Sequence, residues 1–260
     1  HFVAPQIWVW RKNRLKKLKS FLDHILLLFP FEKKYFDQKK INSTFVGHPL
    51  LEDSKINEID IFKIIKDKKK IFSIFPGSRL SEINILTPIL INFIKMMNKK
   101  YNDFFYIFHV TPDHSNIIQS LLQKEDLQNC KTISDPELKS QLLKSSKFAV
   151  AKSGTISLEI CNFNVPSVII YKMNLINFLI VKMLVNVKFA NIINIAADRE
   201  IIPELLQSKC NENNIFEVVD RILNNNEALN KQILDVQEII SKFKTNKSSN
   251  LASSILLDHL

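Results

Sequence analysis

Ile71-Phe72-Ser73-Ile74-Phe75-Pro76-Gly77-Ser78-Arg79 is the stretch on which the reading of this chain turns. Its first five residues make a short apolar run, the pattern of a strand covered on both faces. Pro76 and Gly77 break the run, and a helical spacing of apolar residues resumes over 82–99, with Pro88 marking either a true first turn or a kink. Strand, tight turn and helix in that order build parallel α/β sheets. Lys152-Ser153-Gly154-Thr155 repeats the arrangement between a strand at 148–150 and a helix at 155–161.

Working outward, strands are predicted at 25–29, 44–46, 104–110, 132–133 and 167–171, with an extended segment at 2–9. Helices are predicted at 12–22, 31–39 and 113–123, and another starts at Asp135-Pro136 with Asp135 as N-cap. A polar connection spans 52–60, and two or three helices finish the chain. Strands alternating with helices, and buried on both faces, imply a parallel α/β sheet. The chain has only three glycines, Gly47, Gly77 and Gly154, where ordinary usage of about 7% would give roughly 18. Each follows an apolar run, so each is expected at a turn that requires glycine or a close ligand approach.

Composition excludes several classes. An apolar share of 46% rules out a disordered tail. The three cysteines, Cys130, Cys161 and Cys210, show no paired spacing, which argues against a disulfide scaffold and for a reducing compartment. The six histidines form no ligand cluster, so no metal and no cofactor is expected. No signal peptide and no transmembrane stretch are expected. The chain begins without methionine, inside an apparent strand, and reads as a fragment. Its net charge is +10, and residues 11–19 carry six basic side chains without an acid. With Trp8, Trp10, Leu15, Leu18 and Leu22 among them, that run suits an anionic membrane surface, or a merely solvated face. Nothing in it resembles a nucleic-acid-binding signature.

The chemistry concentrates at the two loops. At the carboxyl end of a parallel strand, free N–H groups of a following helix favour phosphate. Ser78 and Arg79 stand there after one strand, Ser153, Gly154 and Thr155 after another, and two such loops facing one crevice can hold a diphosphate. Glu159, one helical turn beyond Thr155, can accept hydrogen bonds from a ribose diol, or serve only as a salt-bridged helix residue. A third segment, Asn194 to Glu200 with Arg199 between, mixes amide, guanidinium and carboxylate. Alone it stays ambiguous.

Seven motifs occur in one order. They are Pro5-Gln6-Ile7-Trp8-Val9-Trp10-Arg11, Phe29-Pro30-Phe31-Glu32, Phe45-Val46-Gly47-His48-Pro49, and Pro76-Gly77-Ser78-Arg79 with Glu82-Ile83. After them come Ser153-Gly154-Thr155 with Leu158-Glu159, Tyr171-Lys172-Met173, and Asn194 through Arg199-Glu200 to Glu204-Leu205-Leu206-Gln207. This series resembles the lipid-A-disaccharide synthases over nearly the whole length. Gln6, where that family usually has Ser, and Asp198, where Gly is common, are departures.

The resemblance implies a glycosyltransferase of the GT-B type. Residues 1–50 would end an N-terminal acceptor-binding domain, the remnant of a second Rossmann-like domain. Residues 51–235 would form a Rossmann-like, parallel-sheet UDP-sugar-binding domain, and 236–260 a C-terminal helical segment. The reaction implied joins UDP-2,3-diacylglucosamine to 2,3-diacylglucosamine 1-phosphate and releases UDP, on the cytoplasmic face of the inner membrane of a Gram-negative-type bacterium. It places the Gly77 and Gly154 loops in the UDP domain, with Arg79 and Ser153 on the diphosphate, Glu159 on the ribose, and Asn194, Arg199 and Glu200 lining the donor pocket. The general-base aspartate is expected in an amino-terminal region beyond these residues, so the fragment is expected to be inactive alone. Homo-oligomers are compatible with this reading. Two alternatives are another UDP-N-acetylglucosamine-using enzyme of the same architecture, transferase or 2-epimerase, and a basic membrane-binding protein without activity.

Overall fold

A computed structural model describes residues 1–4, 20–52, 61–62, 69–174, 178, 188–245 and 247–257. The basic run 11–19, most of the expected helix 12–22, the extended segment from Pro5 onward and most of the connection 52–60 lie outside the described residues. Within them, Phe2 bridges Leu26 in parallel.

The chain opens with a small parallel sheet, β1 (Ile25–Leu27) beside β2 (Ser43–Phe45), joined through a 3-10 turn Pro30–Glu32 and helix α1 (Lys33–Asp37). A larger sheet follows, made of β3 (Lys70–Phe75), β4 (Phe104–His109), β5 (Cys130–Ile133), β6 (Ser146–Lys152), β7 (Ser167–Tyr171) and β8 (Glu204–Leu206). Its spatial order is β5-β4-β3-β6-β7-β8, and every pairing is parallel. The connecting helices are α2 (Leu80–Lys100), α3 (Pro112–Lys124), α4 (Leu138–Ser145), α5 (Ile156–Asn162) and α6 (Ile192–Ala197). Helices α7 (Glu212–Leu223), α8 (Asn226–Phe243) and α9 (Ser248–Leu257) close the chain.

Alternation along the strands explains the two helical layers. Phe72 and Ile74 of β3, Tyr106 and Phe108 of β4, and Phe148 and Val150 of β6 pack with α2, α3 and α7. Ile71 and Phe75, Phe105 and Ile107, and Ala149 and Ala151 point the other way, to α4, α5, α6 and α8. Phe72 sits at the centre, its ring 5.3–5.8 Å from those of Phe93, Phe104, Tyr106 and Phe148. Pro88 lies inside α2, so the predicted helix continues through it. The cost is one missing N–H, opposite the Asn84 carbonyl. Among the described helices, α2 is long and apolar enough to cross a bilayer. Ile83, Leu86, Leu90, Phe93, Ile94 and Met97 commit one of its faces to the sheet.

Three expectations are corrected. The helix expected from Pro136 starts two residues later, at Leu138; Asp135 Oδ1 still accepts the Glu137 N–H at 2.9 Å, in a turn that leads into the helix. Strand β8 was not foreseen; three edge residues are too few to show a period. Of the three glycines, Gly47 and Gly77 have positive φ (89° and 114°), whereas Gly154 does not. A Cβ at Gly154 would meet nothing nearer than the Lys152 carbonyl at 4.0 Å, so the protein itself does not require glycine there. Asp198, by contrast, is left-handed (φ 50°, ψ 28°) at the C-cap of α6. That explains why glycine suits the position and why Asp, which tolerates this conformation, can replace it.

The chain end returns to the chain start. Helix α8 runs unbroken through the boundary expected at 235/236. Its last residue, Phe243, packs its ring 4.9 Å from that of Phe29, and its carbonyl accepts the His48 N–H. Thr245 Oγ1 donates to the Val46 carbonyl at 2.7 Å, and its side chain occupies the space where a Gly47 Cβ would stand. Ala252 of α9 covers Leu26 and Val46.

Two buried polar residues tie this architecture together. Glu32, 2% exposed, accepts the Leu28 and Phe29 N–H groups through one oxygen at 3.0 and 2.9 Å. Asn194, 0% exposed, accepts from Ile201 N and Ile202 N, and donates to the Ile202 carbonyl and to Glu204. All four of its hydrogen-bonding positions are filled.

Burial pushes the Glu32 carboxyl up to about 7, against the lowering effect of its two backbone donors. The folded state thus binds this proton more tightly than the unfolded chain. Its stabilising contribution is full below the ordinary value of 4.5 and is lost as pH rises through about 7. Glu32→Gln keeps the accepting oxygen and removes the titration. Urea unfolding across that interval should show wild type losing about 2 kcal/mol more than Glu32→Gln; equal pH slopes would refute the assignment. Asn194→Ala leaves several buried backbone groups unpaired and should cost at least about 2 kcal/mol in the same assay. A loss near zero would mean that the α6–β8 junction holds without it.

Candidate functional site

From β3 the chain winds outward to β4 and β5, then returns to β6 on the other side of β3 and continues to β7 and β8. The winding therefore reverses between β3 and β6. Such a switch point opens a crevice at the carboxyl ends of its two strands, where ligands of open α/β sheets bind. Pro76-Gly77-Ser78-Arg79 leaves β3 there, and Ser153-Gly154-Thr155 leaves β6 there. The register sets them side by side, Ile74 opposite Val150 and Phe75 opposite Ala151.

Glu82, in the first turn of α2, joins the two loops. Its Oε1 lies 3.0 Å from Lys152 Nζ and 3.4 Å from Arg79 Nη1, and its Oε2 accepts the Ser78 N–H at 3.3 Å. Burial alone would raise the Glu82 carboxyl. The Lys152 ammonium, together with the Arg79 and Ser78 N–H groups, outweighs it and holds the group below its ordinary value. Lys152 Nζ also stands over the Tyr171 ring, 5.1 Å from its centroid. Arg79 differs from Lys152: its side chain is 77% exposed and its guanidinium reaches into solvent at the N-cap of α2.

In the second loop, Ser153 uses both of its donors internally, its N–H to the Ile170 carbonyl and its hydroxyl to the Ala190 carbonyl at 2.9 Å. Gly154 and Thr155 are exposed, and their carbonyls accept the Ser157 and Leu158 N–H groups at the start of α5. Glu159, one turn into α5, forms a close pair with Lys139 of α4, at 2.7 and 2.9 Å to its two oxygens. His109 ends β4 beside this group, with Nε2 3.3 Å from the Asp135 carbonyl and its ring 5.8 Å from that of Phe75. Burial lowers the His109 pKa, so the imidazole is neutral near pH 7.

The structure thus brings together Gly77, Ser78, Arg79, Ser153, Gly154 and Thr155, with Glu159 one turn away. It does not add the third segment in the expected way. The Asn194 side chain is buried and fully bonded, with no capacity left for a ligand. Arg199 pairs with Asp235 of α8 at 2.9 Å. The chain beyond it runs beside the amino-terminal half of β7, where Gln232 binds both the Ser167 and the Ile201 carbonyls. Glu200 accepts the Glu204 N–H at 3.3 Å. Helix α6 explains this separation: its six residues carry the chain about 9 Å from the Ser153 contact at Ala190.

From the sequence, Lys152 is placed in the second loop but given no role, and Lys139 and His109 are missed. Lys152 ends β6, His109 ends β4, and Lys139 lies in the first turn of α4, which follows β5; a place after the carboxyl end of a parallel strand was the available signal. The strand order needed to use that signal is not written locally. Among the described residues, no three His, Cys, Asp or Glu side chains come together to hold a metal ion, and all three cysteines are free and buried.

Known proteins resemble this chain in sequence and in fold. Residues 1–258 match the lipid-A-disaccharide synthetase family. The lipid-A-disaccharide synthase of Rhodospirillum centenum is 32% identical over 243 residues, covering 92% of this chain and 60% of the relative. That of Rickettsia prowazekii is 33% identical over 263 residues, covering 98% and 68%. The chain therefore spans roughly three fifths to two thirds of these relatives. Among solved structures, the UDP-GlcNAc 2-epimerase of Neisseria meningitidis bound to UDP-GlcNAc superposes with a TM-score of 0.65 at 13% identity, over 94% of this chain and 63% of the other. A glycosyltransferase from Rickettsia africae superposes with a TM-score of 0.55 at 13% identity, over 98% and 67%. At such identities the likeness shows fold alone, the α/β architecture of the GT-B type. Sequence from residue 1 to residue 258 and fold agree, and the chain belongs to the lipid-A-disaccharide synthetase family.

Proposed function

We propose that these residues form the nucleotide-sugar-binding part of a hexosyltransferase. The whole protein would join UDP-2,3-diacylglucosamine to 2,3-diacylglucosamine 1-phosphate, giving the lipid A disaccharide 1-phosphate and UDP. The observation that carries this reading is the meeting of the Gly77 and Gly154 loops across the β3/β6 switch point. A diphosphate there would face the α2 N-terminus and the Arg79 guanidinium, a bidentate cation suited to phosphate oxygens. The open space at Gly154 supports close approach of a ligand to that backbone.

Chemically, an acceptor hydroxyl attacks the anomeric carbon of the donor, and the bond from that carbon to the diphosphate oxygen breaks. Negative charge grows on the departing UDP, and Arg79 is placed to stabilise it as it develops. Glu159 would accept from the ribose diol through the lone pairs that its pairing with Lys139 leaves. The attacking hydroxyl must lose a proton. We assign that task to an aspartate in the part of the protein that relatives have beyond these residues, so the 260-residue chain should bind donor without turning it over.

Diacylated substrates keep their chains near lipid. We therefore also propose that the whole protein works on the cytoplasmic face of an anionic inner membrane, with Arg11, Lys12, Arg14, Lys16, Lys17 and Lys19 contributing attraction of about 1 kcal/mol each close to the surface.

Calorimetry with UDP, UMP and uridine tests the nucleotide reading. Arg79→Ala should weaken UDP about tenfold or more and uridine little, since a charge-assisted hydrogen bond is worth about 1.5–3 kcal/mol. Glu159→Ala should weaken all three alike, because each contains ribose. Equal losses across the three ligands for Arg79→Ala would contradict the assignment. For the membrane, charge reversal at Lys12, Lys16 and Lys19 should lower binding to anionic vesicles without lowering the melting temperature, and wild-type binding should weaken as salt rises. Vesicle binding that survives both changes would move the attachment elsewhere.

A further inference from the structure

We propose that Lys152 is a specificity-determining cation for the diphosphate, and that Glu82 is the positioning residue that holds it between the two loops. This rests on reading the crevice as a nucleoside-diphosphate site.

A lysine at the end of a strand ordinarily extends its ammonium into water. Lys152 does not: its side chain is 16% exposed, lying between the Glu82 carboxylate and the Tyr171 ring. Glu82 is itself only 12% exposed and is anchored from the opposite loop, where it accepts the Ser78 N–H. The carboxylate reaches this place because residue 77 is glycine; a Cβ there would run into Glu82 Oε2. Glycine at 77 and the Glu82–Lys152 bridge are therefore one device. It connects segments that lie some seventy residues apart in the chain but leave neighbouring strands.

The charge balance points to the ligand. One carboxylate faces two cations, Arg79 and Lys152, which leaves about one net positive charge on the crevice side. Arg79 is exposed on the solvent side, whereas Lys152 is enclosed at the junction. A second, fixed cation favours a ligand with a second phosphate over one with a single phosphate, and it has nothing to offer a bare nucleoside. Removing the Glu82 charge separates positioning from simple electrostatics. Electrostatics alone predicts tighter anion binding without the carboxylate. Positioning predicts weaker binding, because Lys152 is no longer held.

The test is calorimetry of UDP, UMP and uridine on the 260-residue chain, with thermal unfolding of each variant. Lys152→Met should weaken UDP about tenfold, UMP less, and leave uridine within about twofold. Glu82→Gln should weaken UDP about fivefold, and the double variant should be no worse than about tenfold, since both changes break one bridge. Should Lys152→Met fail to fold, Lys152→Arg keeps charge and stem and should hold UDP affinity within about threefold, where loss comparable to Arg79→Ala counts against the proposal. Equal loss of UDP and uridine for Lys152→Met, or tighter UDP binding by Glu82→Gln, would overturn the proposal and leave the proposed function standing. No UDP binding by the folded wild-type chain would overturn both.

Discussion

Strand β3 has a neighbour on each edge and a helical layer on each face, and its burial constrains everything around it. A strand covered on both faces is mainly apolar, as Ile71, Phe72, Ile74 and Phe75 are, and its one buried polar side chain, Ser73, is bonded to Ser146. Parallel neighbours require crossover helices, and these need apolar stripes to lie on the sheet. Those requirements fix β4 on one side and β6 on the other. They also bring the chain back across β3, which opens the crevice. Substituting Phe72, in contact with four other aromatic rings, would remove several of these supports together, an effect of about 3–5 kcal/mol for truncation to alanine.

The crevice inherits its electrostatics from that arrangement. Parallel strands send every following loop to the same end of the sheet, so the polar residues after β3, β4, β5 and β6 gather without any sequence proximity. Lys152 meets Glu82, and Lys139 meets Glu159, across elements that the local sequence does not connect. Both pairs are partly shielded from water, where a charge pair matters more than the exposed surface pairs Lys33–Asp37 or Lys242–Glu238.

Much of the fold was legible because it repeats one unit. The strand at Ser167–Tyr171 and the loops after β3 and β6 follow from apolar runs punctuated by Pro or Gly, signals carried by a few adjacent residues. What stayed hidden depended on partners distant in sequence. Asn194 reads as a donor-pocket amide beside Arg199 and Glu200, yet it is the centre of a buried knot, because Ile201 and Ile202 turn their backbone toward it. Glu32 reads as part of a short motif, and its burial depends on the Phe29 and Phe31 rings packing against Phe243 near the other end of the chain. Strand β8 exists only because β7 offers an edge to pair with.

The hydrogen bond from Thr245 to Val46 spans 199 residues of sequence, and this has a consequence for how the molecule is assembled. Closing so long a loop is entropically slow and brings little return until both ends are already formed. During synthesis β1 and β2 long precede α9, so the contact of Ala252 with Leu26 and Val46 is among the last of these to form. The large sheet, whose contacts are mostly between successive units, can form in the interval. The order of folding then runs from the middle of the sequence outward, with the last helix acting as a latch. Until it closes, Leu26 and Val46 lack the apolar contact that α9 supplies, and transiently uncovered apolar surface invites association.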